Sequence, residues 1–366
     1  MRIKNWDTFS FILTYHILLV ALLPFFIGVF SWPAMVLFLI TFIAGGLSIT
    51  AGYHRLFSHR SYSAHPVYEW TVLLLSTLGV QWSALMWSHD HRLHHNHVDS
   101  EKDPYAINKG FWYAHVLWLF DYRRDYQPGL VGDLLSNPRV VFQHRHYILL
   151  TIIVNAAIFG IGCLFMHPLA SFYAGVVLRI FAIHHCTWFI NSLAHTWGAR
   201  TYARELSAVD NAFMALLTFG EGYHNYHHVF AGDYRNGVRW YHFDPTKWLV
   251  WTASKLGIAK GLRTVDQIRI QKKLVTKDKE LLLDRLSREL DDFGAEMRIR
   301  VETLSARFEE NAALLMDRVK EFKAASDERK RVLQGEIRRL RQELRQAWKE
   351  WVDLTRTAAR EYTLAH

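Results

Sequence analysis

The chain has 366 residues, of which 51% are hydrophobic and 14% aromatic, and it carries a formal charge of +9 at pH 7. About 42% of the residues from Val265 onward are charged, against about 13% of those before it. This contrast excludes a chain of uniform character and predicts two domains, residues 1–262 and 263–366. The small net charge of the second domain gives no reason to expect a nucleic-acid partner.

Two apolar segments near the N-terminus predict a pair of membrane-spanning helices. Phe9–Phe30 and Pro33–Tyr53 contain no Asp, Glu, Lys or Arg, and each is long enough to cross about 30 Å of hydrocarbon. The two residues between them allow only a tight hairpin. No cleavable signal peptide is expected, because the first segment is too long and lacks a small-residue cleavage site.

The next apolar segment, Val67–Trp87, either spans the membrane or lies in its interface. Hydropathy alone favours neither outcome. The segment contains Glu69, Gln81 and three tryptophans, which suit an interface better than a lipid-facing span. A span would place His54 and His91 on opposite sides of the membrane, whereas an interfacial or re-entrant segment would keep them on one side.

A second apolar hairpin is predicted from Tyr147–Met166 and Ser171–Leu193. Lys and Arg are absent from the links within both hairpins but flank their other ends, which places both termini and the long loops in the cytoplasm. The two cysteines, Cys163 and Cys186, lie inside apolar segments, so neither a disulfide nor a cysteine metal site is expected. The sequence thus predicts an all-α integral membrane protein with four transmembrane helices.

Nine histidines and one asparagine fall into four clusters at the predicted cytoplasmic face. In the two HxxHH triplets the imidazoles occupy positions i, i+3 and i+4, which share one helix face. The first two histidines are five residues apart and converge only if the helix ends or bends near Leu56–Ser58. The clusters comprise His54 and His59; His91, His94 and His95; Asn191 and His195; and His224, His227 and His228.

These clusters predict a site for two metal ions. A structural zinc ion takes four ligands and usually prefers thiolates, so nine imidazoles and an amide suit two ions with five or six ligands each. Imidazole binds iron, copper and zinc alike, and the ligands therefore do not identify the metal. The apolar setting suggests oxidation of an aliphatic substrate by O₂. A carboxylate-bridged di-iron bundle is not supported, because only Glu221 and His224 fit its Glu-x-x-His spacing.

The motifs HRLFSH, HRLHH, NSLAH and HNYHH, in this order, resemble those of membrane fatty-acyl desaturases of the Δ9, stearoyl-CoA desaturase type. TWFINSLAH and GEGYHNYHH distinguish the chain from other histidine-box oxygenases, such as alkane hydroxylases. The resemblance covers roughly residues 9–262 and is closest to bacterial members. It implies four transmembrane helices, a non-spanning Val67–Trp87, a cytosolic helical cap and a bacterial inner-membrane location. It also implies a di-iron centre held by the nine clustered histidines, with Asn191 holding an iron-bound water.

The resemblance implies O₂-dependent insertion of a cis double bond, at Δ9, into a saturated acyl chain. Gln81, Trp87, Thr187 and Trp188 would line the bend of an acyl tunnel, although ordinary aromatic packing also accounts for them. His184 either lines the tunnel or packs between helices. The alternatives for the whole chain are a histidine-box hydroxylase, or a metal-stabilised membrane scaffold whose tail recruits partners.

The substrate head group and the electron donor are less determined. His89 stands where acyl-CoA desaturases usually carry Arg, and the basic pair Arg123–Arg124 is displaced. The first candidate for the head group is therefore CoA, followed by acyl-carrier protein or phospholipid. No haem-binding motif of the cytochrome b5 type is seen at either end, so a separate donor is expected, such as a ferredoxin, a flavoprotein or a cytochrome b5.

The charged tail carries an apolar residue every three or four positions from Leu283 onward, with a possible break at Ala324–Glu328. This pattern predicts a coiled coil, formed either by one long helix or by a hairpin of two. Such a seam favours self-association or the docking of a partner.

Overall fold

The computed structural model of the protein describes residues 3–121, 125–287 and 292–364. The predicted basic pair Arg123–Arg124 and the seam residue Leu290 lie outside these ranges. The chain divides into two compact units. The first comprises Met1–Thr201 and Glu205–Thr264, and the second comprises Tyr202–Arg204 and Val265–His366.

The first unit is mainly helical. Two short strands, β1 (Ser63–Ala64) and β2 (Ala259–Lys260), pair in antiparallel fashion. The α-helices, in chain order, are α1 (Trp6–Gly28), α2 (Trp32–Ser48), α3 (Pro66–Leu75), α4 (Ala84–His97), α5 (Trp118–Asp121), α6 (Gly132–Leu135), α7 (Pro138–Arg145), α8 (Tyr147–Cys163), α9 (Pro168–Phe172), α10 (Arg179–Ser192), α11 (Ala212–Leu217), α12 (His224–Val229) and α13 (Pro245–Lys255).

Among the described residues, three continuous helices are long and apolar enough to cross a membrane: Trp6–Gly28, Trp32–Ser58 and Pro168–His195. The remaining predicted span, Tyr147–Met166, coincides with α8, which has 17 residues. Helix α8 follows α7 at a bend of 79°. The first unit is thus the membrane part of an integral membrane protein, and the exact count of four spans stays a prediction.

The second long helix changes its winding before it ends. Residues Ile49–Ser58 continue α2 as a π-helix, in which hydrogen bonds join residues five apart instead of four. The N–H of His59 accordingly donates to the carbonyl of His54, at 3.1 Å. Residues five apart then lie nearer to one helix face than they do in an α-helix. The helix also ends at Ser58, as the sequence required, and the rings of His54 and His59 converge with their centroids 4.7 Å apart.

The segment Val67–Trp87 is interrupted rather than continuous. Helix α3 ends at Leu75, a 3₁₀ turn follows at Ser76–Gly79, and α4 then leaves at an angle of 80°. Ser83 caps α4, because its Oγ accepts a hydrogen bond from the N–H of Met86. The rings of His54 and His91, on either side of this segment, lie with their centroids 4.6 Å apart. Such a bent pair of helices is either a broken span or a re-entrant segment, and the non-spanning interpretation stays a prediction.

The second unit consists of three packed helices, α14 (Gln267–Leu286), α15 (Asp292–Ala324) and α16 (Asp327–Leu364). The break predicted at Ala324–Glu328 separates α15 from α16. The pairs Arg318–Glu336 and Arg307–Glu350 show that these two helices run antiparallel. Of the two arrangements predicted from Leu283 onward, the structure has the hairpin, and a further helix, α14, precedes it.

The apolar seam of the tail is buried within the single chain. Val301, Phe308, Leu315, Leu333 and Trp351 are all at most 1% exposed and belong to one hydrophobic cluster. Burial of the seam is what stabilises helices of this kind. The seam by itself therefore gives no reason to require a second copy of the chain, and self-association stays a prediction.

Candidate metal centre

Eight of the nine predicted histidines lie in two groups, in each of which one ligand atom per residue lies within 4.8 Å of the others. The ninth, His95, contacts members of both groups. Its Nε2 is 3.0 Å from that of His227, and its ring stacks on that of His228 at 4.3 Å. The first group contains His54, His59, His91 and His227, and the second contains His94, His195, His224 and His228.

The imidazoles face one another through their Nε2 atoms. In the first group, Nε2 of His59 is 2.8 Å from that of His91, and Nε2 of His54 is 3.1 Å from that of His227. In the second group, Nε2 of His224 is 3.1 Å from both Nε2 of His195 and Nε2 of His228. The four sequence clusters therefore converge on two adjacent centres.

A glycine-bounded turn delivers the last cluster to these centres. Gly220 has a φ of +104°, which side chains rarely adopt. A Cβ at Gly220 would also collide with the carboxylate of Asp244, and one at Gly222 would collide with the backbone N of Ala215. Helix α12 then begins at His224. The sequence GEGYH thus reverses the chain closely enough for α12 to point three imidazoles inward.

Carboxylates orient two of the imidazoles from behind. Oε2 of Glu221 lies 2.8 Å from Nδ1 of His54, and Oδ2 of Asp103 lies 2.9 Å from Nδ1 of His94. An ionised carboxylate only accepts hydrogen bonds, so His94, which is hydrogen-bonded to Asp103, carries its proton on Nδ1 and presents a lone pair at Nε2. Such carboxylate–imidazole pairs typically support metal ligands. Carboxylates therefore lie near the centre, but on the far side of the imidazoles.

The electrostatics of the site favour a bound cation. Burial, and then the proximity of other histidines, hold the pKa of His59, His227 and His228 well below its usual range. These rings are neutral at pH 7 and keep a free lone pair, which is the form that binds metals. Several lone pairs directed at one point repel each other unless a cation lies between them. The donor set thus fits two metal ions.

A buried ion network holds the π-helix against the last cluster. Arg55, 1% exposed, donates from Nη2 to Glu221 and to Asp244, each at 2.9 Å, and from Nη1 to the carbonyl of Tyr234 at 2.7 Å. Burial would raise the pKa of Glu221, but His54 and Arg55 outweigh it and lower the pKa. Glu221 is therefore ionised, and it links the network directly to His54.

A cavity of about 370 Å³ opens onto the histidines. Its walls combine apolar residues of α1, α2 and α10 with His54, His91, His94 and His224. Asn191 lines the same cavity, as do all four residues predicted to line the acyl tunnel, which are Gln81, Trp87, Thr187 and Trp188.

Hydrogen bonds connect three of these tunnel residues. Nε2 of Gln81 donates to Oγ1 of Thr187 at 2.8 Å, and Nε1 of Trp87 donates to Oε1 of Gln81 at 3.3 Å. Val80 and Trp82, on either side of Gln81, have φ of +50° and +71°, a region that non-glycine residues seldom occupy. This unusual backbone turns the Gln81 side chain toward the cavity.

Several residues of the site carried little signal in the sequence. Asp103 follows the second cluster within KDPY, yet the spacing alone does not connect it to His94. His184 lines the cavity and also hydrogen-bonds Tyr15 Oη at 3.0 Å, so both roles considered for it are present. His185 bonds His16 and His115 at 3.1 Å each. Contacts between remote segments determine these roles.

Comparison with known proteins agrees with this geometry. The family described as Fatty acid desaturase matches residues 7–258. The chain belongs to the fatty acid desaturase family. Among its curated relatives, a probable acyl-CoA desaturase of Schizosaccharomyces pombe is 41% identical over 70% of this chain and 55% of its own length. Acyl-CoA desaturase 1 of Saccharomyces cerevisiae is 39% identical over 65% of this chain and 48% of its own length.

A cyanobacterial relative is matched over nearly its whole length. The sn-1 stearoyl-lipid 9-desaturase of Anabaena variabilis is 35% identical over 72% of this chain and 95% of its own length. By contrast, this desaturase-family chain spans about half the length of the two yeast relatives. The range that the family matches, residues 7–258, contains all the histidines of the two groups.

Proposed function

We propose that the protein is a membrane fatty-acyl desaturase that inserts a cis double bond, at carbon nine, into a saturated acyl chain. The observation that carries the proposal is the convergence of nine imidazoles from four segments at one buried cavity with apolar walls. Such a cavity suits an alkyl chain better than a polar substrate. Residues 1–262 would form the catalytic domain, and residues 263–366 a separate tail.

The metal ions would be two irons, and they would supply the activation of O₂ and the removal of hydrogen from two adjacent methylenes. The chain's own residues hold and orient this centre. Asp103 keeps His94 in the tautomer that binds metal, Glu221 lies against His54, and burial excludes water. The ligands would be His54, His59, His91, His94, His95, His195, His224, His227 and His228, with Asn191 beside them as the holder of a metal-bound water.

Selection of one methylene pair requires positioning, because all methylenes are chemically alike. A tunnel that anchors the carboxyl end and bends the chain beside the metals would provide it. Gln81, Trp87, Thr187 and Trp188 line the cavity together with metal-facing histidines. Their hydrogen bonds and the unusual backbone at Val80 and Trp82 make this wall rigid. A rigid wall would keep the bend of the acyl chain at a fixed distance from its carboxyl end.

The substrate would be an acyl thioester, with acyl-CoA as the first candidate. Two yeast relatives are named acyl-CoA desaturases, whereas the cyanobacterial relative is named a stearoyl-lipid desaturase. Electrons would come from a separate ferredoxin, flavoprotein or cytochrome b5. The positive charges that flank the apolar hairpins support an active site on the cytoplasmic side, in a bacterial inner membrane.

The decisive experiment is the fatty-acid profile of a bacterium that expresses the full chain. We expect new cis-monounsaturated acids whose dimethyl disulfide adducts place the double bond at carbon nine for every chain length. A variant with His94→Ala is the matched control and should give the profile of the empty vector. Hydroxylated acids would indicate the hydroxylase alternative. An unchanged profile from a metal-loaded protein supplied with an electron donor would indicate a scaffold.

A further inference from the structure

A hydroxyl and a carboxylate lie behind His195, on the edge of its ring that faces away from the other imidazoles. Nδ1 of His195 is 2.6 Å from Oγ of Ser207. Oγ of Ser207 in turn donates to Oδ1 of Asp99, and the N–H of Ser207 donates to Oδ2 of Asp99 at 2.8 Å. His195 is 4% exposed. Two segments far apart in sequence, that of Asp99 and that of His195 and Ser207, thus meet in one hydrogen-bonded chain.

The chemistry of the three groups fixes the direction of every proton in this chain. The carboxylate of Asp99 only accepts, so the hydroxyl hydrogen of Ser207 points toward Asp99. The oxygen of Ser207 then has only lone pairs to offer, so Nδ1 of His195 must be the donor. The proton of His195 is therefore on Nδ1, and Nε2 presents its lone pair toward His224, 3.1 Å away.

The backbone of Asp99 is held in an unusual conformation that serves this contact. Its φ is +62°, a left-handed value that Asp and Asn tolerate better than other side chains. Asp99 lies only four residues after His95, and Asp103 of the same loop accepts from Nδ1 of His94. One loop, directly after HRLHH, thus supplies carboxylates behind two members of the second histidine group.

We propose that Asp99 and Ser207 are positioning residues that lock His195 in its metal-binding tautomer and orientation. The inference rests on the proposed function for the identity of the metal, but not for the geometry. Neither residue belongs to the two histidine groups or lines the cavity. Partners of this kind typically change metal affinity about 10- to 100-fold when removed. The second group, which contains His195, should be affected, while the first should not.

The test compares full-length Ser207→Ala with Ser207→Thr and Asp99→Asn. Threonine keeps the hydroxyl, and asparagine keeps both the shape and the tolerance for a left-handed backbone while it removes the charge. Ser136→Ala is the matched control, because the exposed Ser136 hydroxyl bonds only the carbonyl of Gly132 within its own helical turn. The readouts are the rate of iron release to a chelator and the Mössbauer signals of the two irons.

We expect Ser207→Ala to release one iron about 10- to 100-fold faster than the native protein, with the other iron unchanged. Ser207→Thr should restore the slow rate, and Asp99→Asn should fall between. Equal release from native and Ser207→Ala proteins would overturn the proposal. So would equal loss of both irons, because a merely structural role predicts general loosening.

A cobalt(II) titration separates this inference from the proposed function. Cobalt binds imidazole sites whatever the native metal is, and its visible spectrum reports the ligands. If the protein neither holds iron nor desaturates, but Ser207→Ala weakens one of two cobalt sites, the proposed function fails. The positioning role of Asp99 and Ser207 then still stands. Unaltered cobalt binding and spectra in Ser207→Ala would reject the positioning role of Asp99 and Ser207, even if the protein is an active desaturase.

Discussion

The two compact units of the chain use charged residues in opposite ways. In the membrane unit, charge is scarce, and its central network is buried: the side chain of Arg55 is 2% exposed, that of Glu221 3% and that of Asp244 0%. In the tail, charge is abundant and at the surface, as in the pair Arg318–Glu336, whose side chains are 35% and 39% exposed. Apolar residues, not charges, hold the tail together.

This difference shows where a charge carries information about function. A buried ion pair is costly to desolvate and rarely adds net stability over a well-packed apolar core. Its persistence in the membrane unit is explained by what it orients, because Glu221 contacts both Arg55 and His54 of the first histidine group. An exposed pair between two helices contributes little and constrains little. Substitutions of charged residues should therefore have much larger effects in the membrane unit than in the tail, and only those in the membrane unit should affect the histidine groups.

The largest effect is expected for His227→Ala. His227 belongs to the first histidine group, and its Nε2 is within 3.1 Å of those of His54 and His95. We expect loss of at least one iron per chain and a fall in desaturation of more than about 100-fold, since the loss of a metal ligand removes the catalytic centre. Iron analysis and gas chromatography of fatty acids measure both quantities.

His146→Ala is the matched control for this prediction. His146 is exposed, and its ring contacts Phe142 rather than the histidine groups. The variant should keep the iron content and activity of the native protein. Full activity in His227→Ala would remove His227 from the metal centre.

The next effect concerns stability rather than chemistry. Arg55→Met should lower the free energy of unfolding by about 3–5 kcal/mol, because two buried carboxylates, Glu221 and Asp244, lose their cation. The measurement is unfolding of the metal-free protein in mixed micelles, which separates the network from metal binding. Arg318→Met, in the exposed tail pair, is the control and should unfold like the native protein. Equal stability of both variants would show that charge acts alike in the two units.

A core substitution in the tail should produce the converse pattern. Trp351 is 1% exposed and is among the largest fully buried side chains of the described chain. Trp351→Ala should destabilise the tail by about 3–5 kcal/mol through the cavity that it leaves, while iron content and desaturation stay at native values. Hydrogen exchange localises the change, and Val332→Ala, exposed on the same helix, is the control. Parallel loss of iron would show that the two domains are not independent.

The sequence predicted what local periodicity encodes. The i, i+3, i+4 spacing of His91, His94 and His95 placed their imidazoles on one face, and α4 presents them so. The break at Ala324–Glu328 was readable because polar and small residues interrupt the apolar repeat. Periodicity could not show that α14 ends at Leu286 and packs as a third helix, since the repeat continues with similar spacing beyond it.

Features that depend on contacts between remote segments could not be predicted from the sequence. Nothing in ITAGYHRLFS signals a π-helix, because π-winding costs backbone energy locally and persists only where tertiary packing compensates for it. Likewise, Asp99 and Ser207 are 108 residues apart, and their pairing depends on how two loops meet. The histidines that converge in the two groups were thus predictable from spacing, whereas the residues hydrogen-bonded behind them were not.

The smallest effect is expected for Asp133, a charged residue of the membrane unit that is less buried than the Arg55 network. The side chain of Asp133 is 34% exposed and accepts from both terminal nitrogens of Arg92, at 2.7 and 2.8 Å. Arg92 also donates to the carbonyls of Phe57 and Ser58, at 2.6 and 3.0 Å. The pair therefore fixes the end of the π-helix just before His59.

Asp133→Asn should lower the free energy of unfolding by about 0.5–1 kcal/mol at pH 7, a value discounted for solvent screening. Burial would raise the pKa of Asp133, but Arg92 outweighs it, so the pKa is lowered. A lowered carboxyl pKa contributes stability that is fully present above the ordinary value of about 3.9. That stability is lost as the pH falls through the folded-state pKa. Thermal unfolding followed by tryptophan fluorescence should thus show native and variant proteins converging below about pH 4. A difference that persists unchanged to about pH 3 would mean that hydrogen-bond geometry, and not the charge of Asp133, holds Arg92 in place.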